Sequence, residues 1–237
     1  MLYIVFLAIF LAFVIFVTVN GFLDNKKPKD AIVTEKMKCK DYILSIAVLW
    51  GTTLAVFIMS VIGNISPADL GFRPISFNCN IWFTAVILIL SGLAFAYLIY
   101  QTISLLTRPK WREKQALTGT QGALAILPRT KKEKWFYTLL SFSAGVCEEI
   151  FYRGFLVFLL YAIFPDMPIY LIVLITAVMF GVSHFYQGVN GIISTGLVGA
   201  ALMCLFLVTN SLILPILLHF FMDVSSAFVL TEEQANE

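Results

Sequence analysis

Residues 135–164 read WFYTLLSFSAGVCEEIFYRGFLVFLLYAIF. The stretch is long enough to cross a bilayer, because about 20 apolar residues span roughly 30 Å of hydrocarbon. Three ionisable residues nevertheless interrupt it, namely Glu148, Glu149 and Arg153. A charge at the bilayer centre costs at least about 2.5–3.5 kcal/mol, so such residues are typically paired or functional. The stretch therefore predicts a membrane span that carries a polar site.

The rest of the chain is equally apolar. Charged residues make up 13% of the 237 residues and hydrophobic residues 60%, whereas soluble domains carry about 25% charge. Six other segments are long and apolar enough to cross a membrane: Leu2–Leu23, Tyr42–Gly63, Ile81–Leu106, Pro168–Tyr186, Gly188–Val208 and Ser211–Leu230. We therefore predict an all-α, polytopic transmembrane helix bundle of about seven spans. The first span lacks a basic region and a cleavage site, so we expect a retained anchor.

Lysine and arginine alternate between the loops. The loop after the first span carries Lys26, Lys27, Lys29, Lys36, Lys38 and Lys40. The next loop carries Arg73 alone, and the third carries Arg108, Lys110, Arg112, Lys114, Arg129, Lys131, Lys132 and Lys134. Because cytoplasmic loops are enriched in these residues, we expect a multi-pass cell-membrane protein with its amino terminus outside and its carboxyl terminus in the cytoplasm. The net charge of +2 does not suggest nucleic-acid binding.

Ionisable residues inside apolar spans are confined to the second half of the chain. They are Glu148, Glu149, Arg153, His184, His219 and Asp223. Because they lie on three different spans, they predict one shared polar cavity rather than isolated packing devices. With a rise of about 1.5 Å per residue, Glu148 and His219 lie near the midplane and His184 lies towards the cytoplasm, so we expect a cytoplasm-facing cavity.

Helical spacing suggests how these side chains are arranged. Glu149 and Arg153 are four residues apart and can pair. Glu148 lies about 100° around the helix from Glu149 and is left free to face the cavity. His219 and Asp223 are also four residues apart, so their side chains lie on the same face of a helix and can reach the same part of the cavity.

Such a set favours hydrolysis by an activated water. A carboxylate beside imidazoles can take a proton from water while other groups stabilise an oxyanion. The same residues could instead bind a divalent metal such as zinc, with Glu148, His184 and His219 as ligands. The sequence has no G-x-S-x-G or H-E-x-x-H motif, and Ser183 points about 100° away from His184.

The sequence assigns no cofactor, and we expect no tightly bound metal. Metal-bound histidines normally donate their second N–H to a carboxylate or carbonyl. Asp223 could serve His219, but we expect no such partner for His184 near it in sequence.

Three short motifs appear in a fixed order. They are Glu148-Glu149-Ile150-Phe151-Tyr152-Arg153, Phe180-Gly181-Val182-Ser183-His184 and His219-Phe220-Phe221-Met222-Asp223. The set resembles the E-E-x-x-x-R, F-x-x-x-H and H-x-x-x-[ND] pattern of the type II CAAX prenyl endopeptidase and bacteriocin-processing family, called CPBP or Abi. The resemblance covers roughly residues 128–230. It implies residues 1–127 as an N-terminal transmembrane region, 128–230 as the protease core and 231–237 as a cytoplasmic tail.

The resemblance also implies roles. Glu148 would activate water, His184 would assist it, and His219 with Asp223 would stabilise the oxyanion, while Glu149, Arg153 and Phe180 support them. The eukaryotic members carry asparagine where this chain has Asp223. Since an ionised aspartate cannot donate to an oxyanion, Asp223 would have to be protonated or orient His219 instead.

The resemblance implies an intramembrane endopeptidase (hydrolase) that acts on a peptide or membrane-tethered protein. Bacterial members are linked to bacteriocin maturation and self-immunity. A non-catalytic scaffold or immunity protein on the same fold is the alternative. An ion or proton carrier is disfavoured, because the outward half of the later spans carries no ionisable residue beyond Arg153.

Overall fold

The computed structural model describes residues 1–25, 34–77, 79–118 and 121–230, and within them it is helical without any strand. The helices are α1 Leu2–Asn25, α2 Glu35–Ile62, α3 Ile81–Thr107, α4 Pro109–Thr118, α5 Gln121–Ile126, α6 Lys131–Glu149, α7 Leu156–Ile163, α8 Ile169–Ser183, α9 Gly188–Thr209 and α10 Ile213–Ser226. A π-helical segment, Ile150–Phe155, joins α6 to α7, and a 3-10 turn, Phe185–Gln187, precedes α9. The prediction of a polytopic helix bundle is confirmed. Lys26, Lys27, Lys29 and the tail 231–237 lie outside the described residues.

Four helices in the described ranges are long and apolar enough to cross a membrane: Leu2–Leu23, Glu35–Ile62, Ile81–Thr107 and Phe185–Thr209. Helices α8 and α10 are apolar but have only 15 and 14 residues, which reach about 21–23 Å. The predicted spans 168–186 and 211–230 therefore have the wrong boundaries, because apolar composition continues past the helix ends. The predicted span 135–164 is helical from Lys131 to Ile163, through the π segment.

The first helix is part of the core rather than a peripheral anchor. Phe6 and Phe10 are buried, and the Phe10 ring stacks on Phe151 with the ring centroids 4.1 Å apart. Phe151 lies within the π segment, so α1 supports the backbone beside the predicted site.

Close helix packing brings the motif-bearing helices together. A Cβ atom added to Gly181 on α8 would lie 2.6 Å from the Ile192 carbonyl oxygen of α9 and 3.2 Å from Gly196 Cα. A Cβ atom added to Gly145 on α6 would lie 3.1 Å from the Phe220 nitrogen of α10. Small residues permit this approach, and they set α8 against α9 and α6 against α10.

Helices α4 and α5 lie in a region that is predicted from the sequence to be a loop. The backbone at the end of α5 is fixed by α2, since Lys38 Nζ donates to the Leu127 carbonyl at 2.5 Å and the Tyr42 hydroxyl donates to the Ile126 carbonyl at 2.6 Å. This end of the bundle also holds Val229 and Leu230, which pack with Tyr42 in a small apolar cluster. The α2–α3 loop lies at the opposite end.

Candidate active site

One carboxylate oxygen connects two of the motifs. Glu149 Oε1 accepts hydrogen bonds from Arg153 Nη1 and from His219 Nδ1, both at 2.8 Å. Glu149 and Arg153 are essentially inaccessible, at 0% and 1% exposure. The predicted pairing of Glu149 with Arg153 is confirmed, and the bond to His219 is an addition that sequence spacing did not suggest.

His219 presents its second nitrogen towards Asp223. The distance from His219 Nε2 to Asp223 Oδ2 is 3.7 Å, which is too long for a direct hydrogen bond. Because Nδ1 donates to Glu149, the imidazole is oriented by Glu149 and not by Asp223. The Asp223 side chain is more than one-third exposed, so it lies at the accessible side of the cluster.

Glu148 and His184 face each other across a short gap. Glu148 Oε2 lies 4.0 Å from His184 Nε2, and both side chains are partly accessible. Glu148 Oε2 has no hydrogen-bond partner among the described residues. The 4.0 Å separation equals the span of one water bonded to both atoms at about 2.8 Å, with an angle on the order of 90° at its oxygen, and Glu148 Oε2 itself is buried. The pair is thus placed to hold one water between a carboxylate and an imidazole.

The end of α8 fixes the orientation of His184. The residue follows Ser183, the last residue of α8, and its backbone leaves the helical conformation. His184 Nδ1 lies 2.8 Å from the Phe180 carbonyl oxygen. Since a carbonyl only accepts, Nδ1 carries the proton and Nε2 is the nitrogen directed at Glu148.

Phe180 lies at the centre of the cluster. Its ring contacts the rings of His184 and His219, with centroid distances of 4.8 and 5.8 Å. The Arg153 guanidinium carbon lies 4.5 Å from the Phe180 centroid, a cation–π geometry. Arg153 also donates to the Gly199 carbonyl at 3.1 Å. The aromatic side chain therefore separates the Arg153 charge from the two imidazoles and fixes their spacing.

Residues 130–225 match the profile of a family described as Rce1-like, type II CAAX prenyl endopeptidase. No curated protein and no solved structure gave a match. The matched range begins at the N-cap of α6 and ends in α10, and so contains all three motifs. Over this range the chain is similar to the CPBP family.

The matched family is described as a family of endopeptidases, and the three motifs converge here through side-chain contacts. The contacts join Glu149 to Arg153 and His219, and they place Glu148 opposite His184. Asp223 lies beside His219 without bonding to it. All seven residues that the sequence singled out thus belong to one cluster.

The position of Ser183 in the matched region does not suit a nucleophile. Its hydroxyl donates to the Met179 carbonyl at 2.8 Å and is 2.6 Å from the Tyr152 hydroxyl, which therefore donates to it. Ser183 is buried. Tyr152 links the π segment to α8, a contact that the sequence reading missed because a tyrosine within an apolar span carries no distinctive signal.

The expectation that His184 lacks a nearby partner for its second ring nitrogen is wrong. The Phe180 carbonyl accepts from Nδ1, because residues four apart on a helix lie one above the other. His184 therefore has the second hydrogen-bond partner that a metal-bound histidine normally has. Within the described ranges, no group of three or more histidine, cysteine or acidic residues is arranged to hold a metal ion.

Proposed function

We propose that this protein is an intramembrane endopeptidase in which Glu148 activates a water molecule. The observation that carries the proposal is the difference between the two adjacent glutamates. Glu149 is enclosed and bonded to Arg153 and His219, whereas Glu148 is partly accessible and faces His184. Only Glu148 has a carboxylate that can reach a substrate-side water.

The proposed reaction has two steps. Glu148 takes a proton from a water held between it and His184 Nε2, and the water oxygen attacks the scissile carbonyl carbon. The carbonyl π electrons move to the oxygen as an oxyanion. The C–N bond then breaks, and Glu148 returns the proton to the leaving amine, which yields a carboxylic acid and an amine.

His219 is the proposed oxyanion partner. With Nδ1 donating to Glu149, a doubly protonated imidazole has Nε2–H available for the oxyanion. Asp223, 3.7 Å from Nε2, would support that cation as a carboxylate. We therefore assign Asp223 an electrostatic role and assign the orienting role to Glu149.

The proposed substrate is a peptide or a membrane-tethered protein that enters from the cytoplasmic side. The basic loops and the position of His184 at the end of α8 support this direction. As in the sequence reading, residues 1–127 would form the supporting transmembrane region and 128–230 the catalytic core.

The test is a comparison of membrane-protein termini in cells that express the wild type or Glu148→Gln. The glutamine keeps the shape of Glu148 but cannot accept the proton, so we expect new termini in the wild type only. The purified wild type should cleave a synthetic peptide that spans the identified cleavage site at least about 100-fold faster than purified Glu148→Gln does. The peptide is offered with and without a prenyl group. Identical termini in both cell lines, with both proteins folded, would favour a non-catalytic scaffold or immunity protein.

A further inference from the structure

A second cavity lies at the end of the bundle that carries the α2–α3 loop. Its volume is about 320 Å³, and its lining comes from that loop, the π segment, α7, α9 and the α9–α10 link. The lining residues are Asp69, Arg73, Arg153, Val157, Phe158, Tyr161, Phe206, Leu207 and Asn210. Arg153 alone is shared with the candidate active site.

Two guanidinium groups in this cavity have unused donors. The Arg73 side chain makes no hydrogen bond or ion pair with any residue in the described ranges, and its Nε is buried. Arg153 is 1% exposed. Its Nη atoms bind Glu149 and Gly199, while its Nε has no partner among the described residues. Buried donors of this kind fit an anionic acceptor such as a phosphate.

A carboxylate stands beside these cations. Asp69 Oδ2 accepts from the Ser66 nitrogen at 2.9 Å and from the Ser66 hydroxyl at 2.7 Å. These hydrogen bonds, with the nearby Arg73 charge, hold the pKa of Asp69 below its ordinary value. Asp69 is therefore ionised at neutral pH, and its Oδ1, which Ser66 does not use, can accept from a cationic group.

The loop that carries both charges is held firmly in place. Gly71, with a φ of +84°, presents its carbonyl to the Leu212 nitrogen at 3.1 Å. The Ser211 hydroxyl donates to the Arg73 carbonyl at 2.7 Å, and the Ser76 nitrogen donates to the Thr209 carbonyl at 2.9 Å. The site is thus built before a ligand arrives, which lowers the entropic cost of binding.

The remaining walls are mostly apolar, and one of them reaches the exposed surface of the protein. Val157, Phe158 and Tyr161 form one side, and Tyr161 is exposed. Phe72 and Ile75, in the same loop as Arg73, are also exposed. A ligand that pairs a charged head with an apolar body matches this distribution.

We propose that this cavity binds the zwitterionic headgroup of an aminophospholipid. The phosphate lies against Arg73 and the Arg153 Nε, the primary ammonium lies against Asp69, and the acyl chains leave past Tyr161. The proposal does not depend on the proposed protease activity, because every residue except Arg153 lies outside that site.

The test is lipid binding by native mass spectrometry of the full-length protein in detergent. The probes are phosphatidylethanolamine and phosphatidylglycerol with the same acyl chains, with soluble glycerophosphoethanolamine as competitor. We expect the wild type to prefer phosphatidylethanolamine. Arg73→Gln should weaken that binding about tenfold or more, since a charge-assisted hydrogen bond is lost, and Asp69→Asn should remove the preference over phosphatidylglycerol.

Two matched controls lie outside the cavity. Arg112→Gln on α4 and Asp41→Asn on α2 remove the same charges and should bind as the wild type does. If Arg73→Gln proves unstable, Leu207→Trp is the variant to use instead. The tryptophan fills the cavity without changing its charge, so it should also weaken lipid binding. Equal binding of both lipids by the wild type, or equal loss in Arg73→Gln and Arg112→Gln, would overturn the proposal. Competition by glycerophosphoethanolamine as strong as by the lipid would overturn the assignment to a membrane lipid.

Discussion

His219 Nδ1 lies 2.8 Å from Glu149 Oε1, although the two residues are 70 positions apart in the sequence. The same oxygen accepts from Arg153. One buried carboxylate therefore holds a cation on its own helix and an imidazole on α10. This contact gives Glu149 a structural role and leaves Glu148 as the candidate catalytic carboxylate.

Glu149→Gln should destabilise the protein much more than Glu148→Gln. The amide leaves Arg153 without its counter-ion, and breaking a buried ion pair costs about 3–5 kcal/mol. Glu148 makes no bond to a buried arginine, so Glu148→Gln should unfold at nearly the same temperature as the wild type. The melting temperatures of both variants are measured by thermal unfolding in detergent. Equal melting temperatures, with cleavage lost in Glu149→Gln alone, would reverse the two roles.

Ser183→Ala should keep most of the cleavage activity of the folded protein, whereas His184→Ala should lose at least about 100-fold. The Ser183 hydroxyl is occupied by Met179 and Tyr152, so it does not attack the substrate. The measurement is the cleavage rate of each variant, divided by the amount of folded protein. A loss in Ser183→Ala as large as in His184→Ala would point to a serine nucleophile instead.

Gly181→Ala should destabilise the bundle and lower activity. The new methyl group would meet the Ile192 carbonyl of α9 at 2.6 Å, so α8 must move and carry His184 with it. Gly92→Ala is the matched control, because a Cβ atom there meets nothing within 4 Å, and alanine is the better helix former. Melting temperatures should fall for Gly181→Ala and stay level or rise for Gly92→Ala.

Orientation is best tested with introduced cysteines. Cys39 is buried, so protection of its thiol from reagents would say nothing about its side of the membrane. Ala68 in the α2–α3 loop and Glu113 on α4 are exposed. In a Cys79→Ser background, an impermeant maleimide applied to intact cells should label Ala68→Cys and spare Glu113→Cys. The opposite pattern would invert the predicted topology and the direction of substrate entry.

Activity should survive exhaustive chelation. Glu148 and His184 can hold a water directly between them, and His219 already uses one ring nitrogen to bind Glu149. Elemental analysis of the purified, active protein, together with rates before and after chelation, checks this. Loss of activity on chelation, restored by zinc alone, would instead assign Glu148, His184 and His219 as metal ligands.

The sequence predicted those features that depend on local spacing. The four-residue separation gave the Glu149–Arg153 pair, and the rarity of charge in apolar spans identified the members of the cluster. It could not predict the bond from His219 to Glu149, because α6 and α10 meet through tertiary packing, at Gly145 and through the Tyr137–Ser226 and Phe142–Phe220 contacts. It also missed the carbonyl partner of His184, which depends on α8 ending at Ser183. Apolar runs do not show where a helix ends, so the limits of α8 and α10 were wrong as well.

The π-helical segment Ile150–Phe155 makes the motif span sensitive to chain length. An i→i+5 turn accommodates one more residue than an α-helical turn does. Deleting a single residue there would let the span relax to a continuous α-helix without breaking it. Because the wide turn had taken up that residue, α6 and α7 would keep their relative orientation. The side chains within the turn would change their angular positions around the helix, so the way in which Arg153 meets Glu149 would change although helix content is preserved. The length of this segment therefore matters to the site as much as the identity of its residues does.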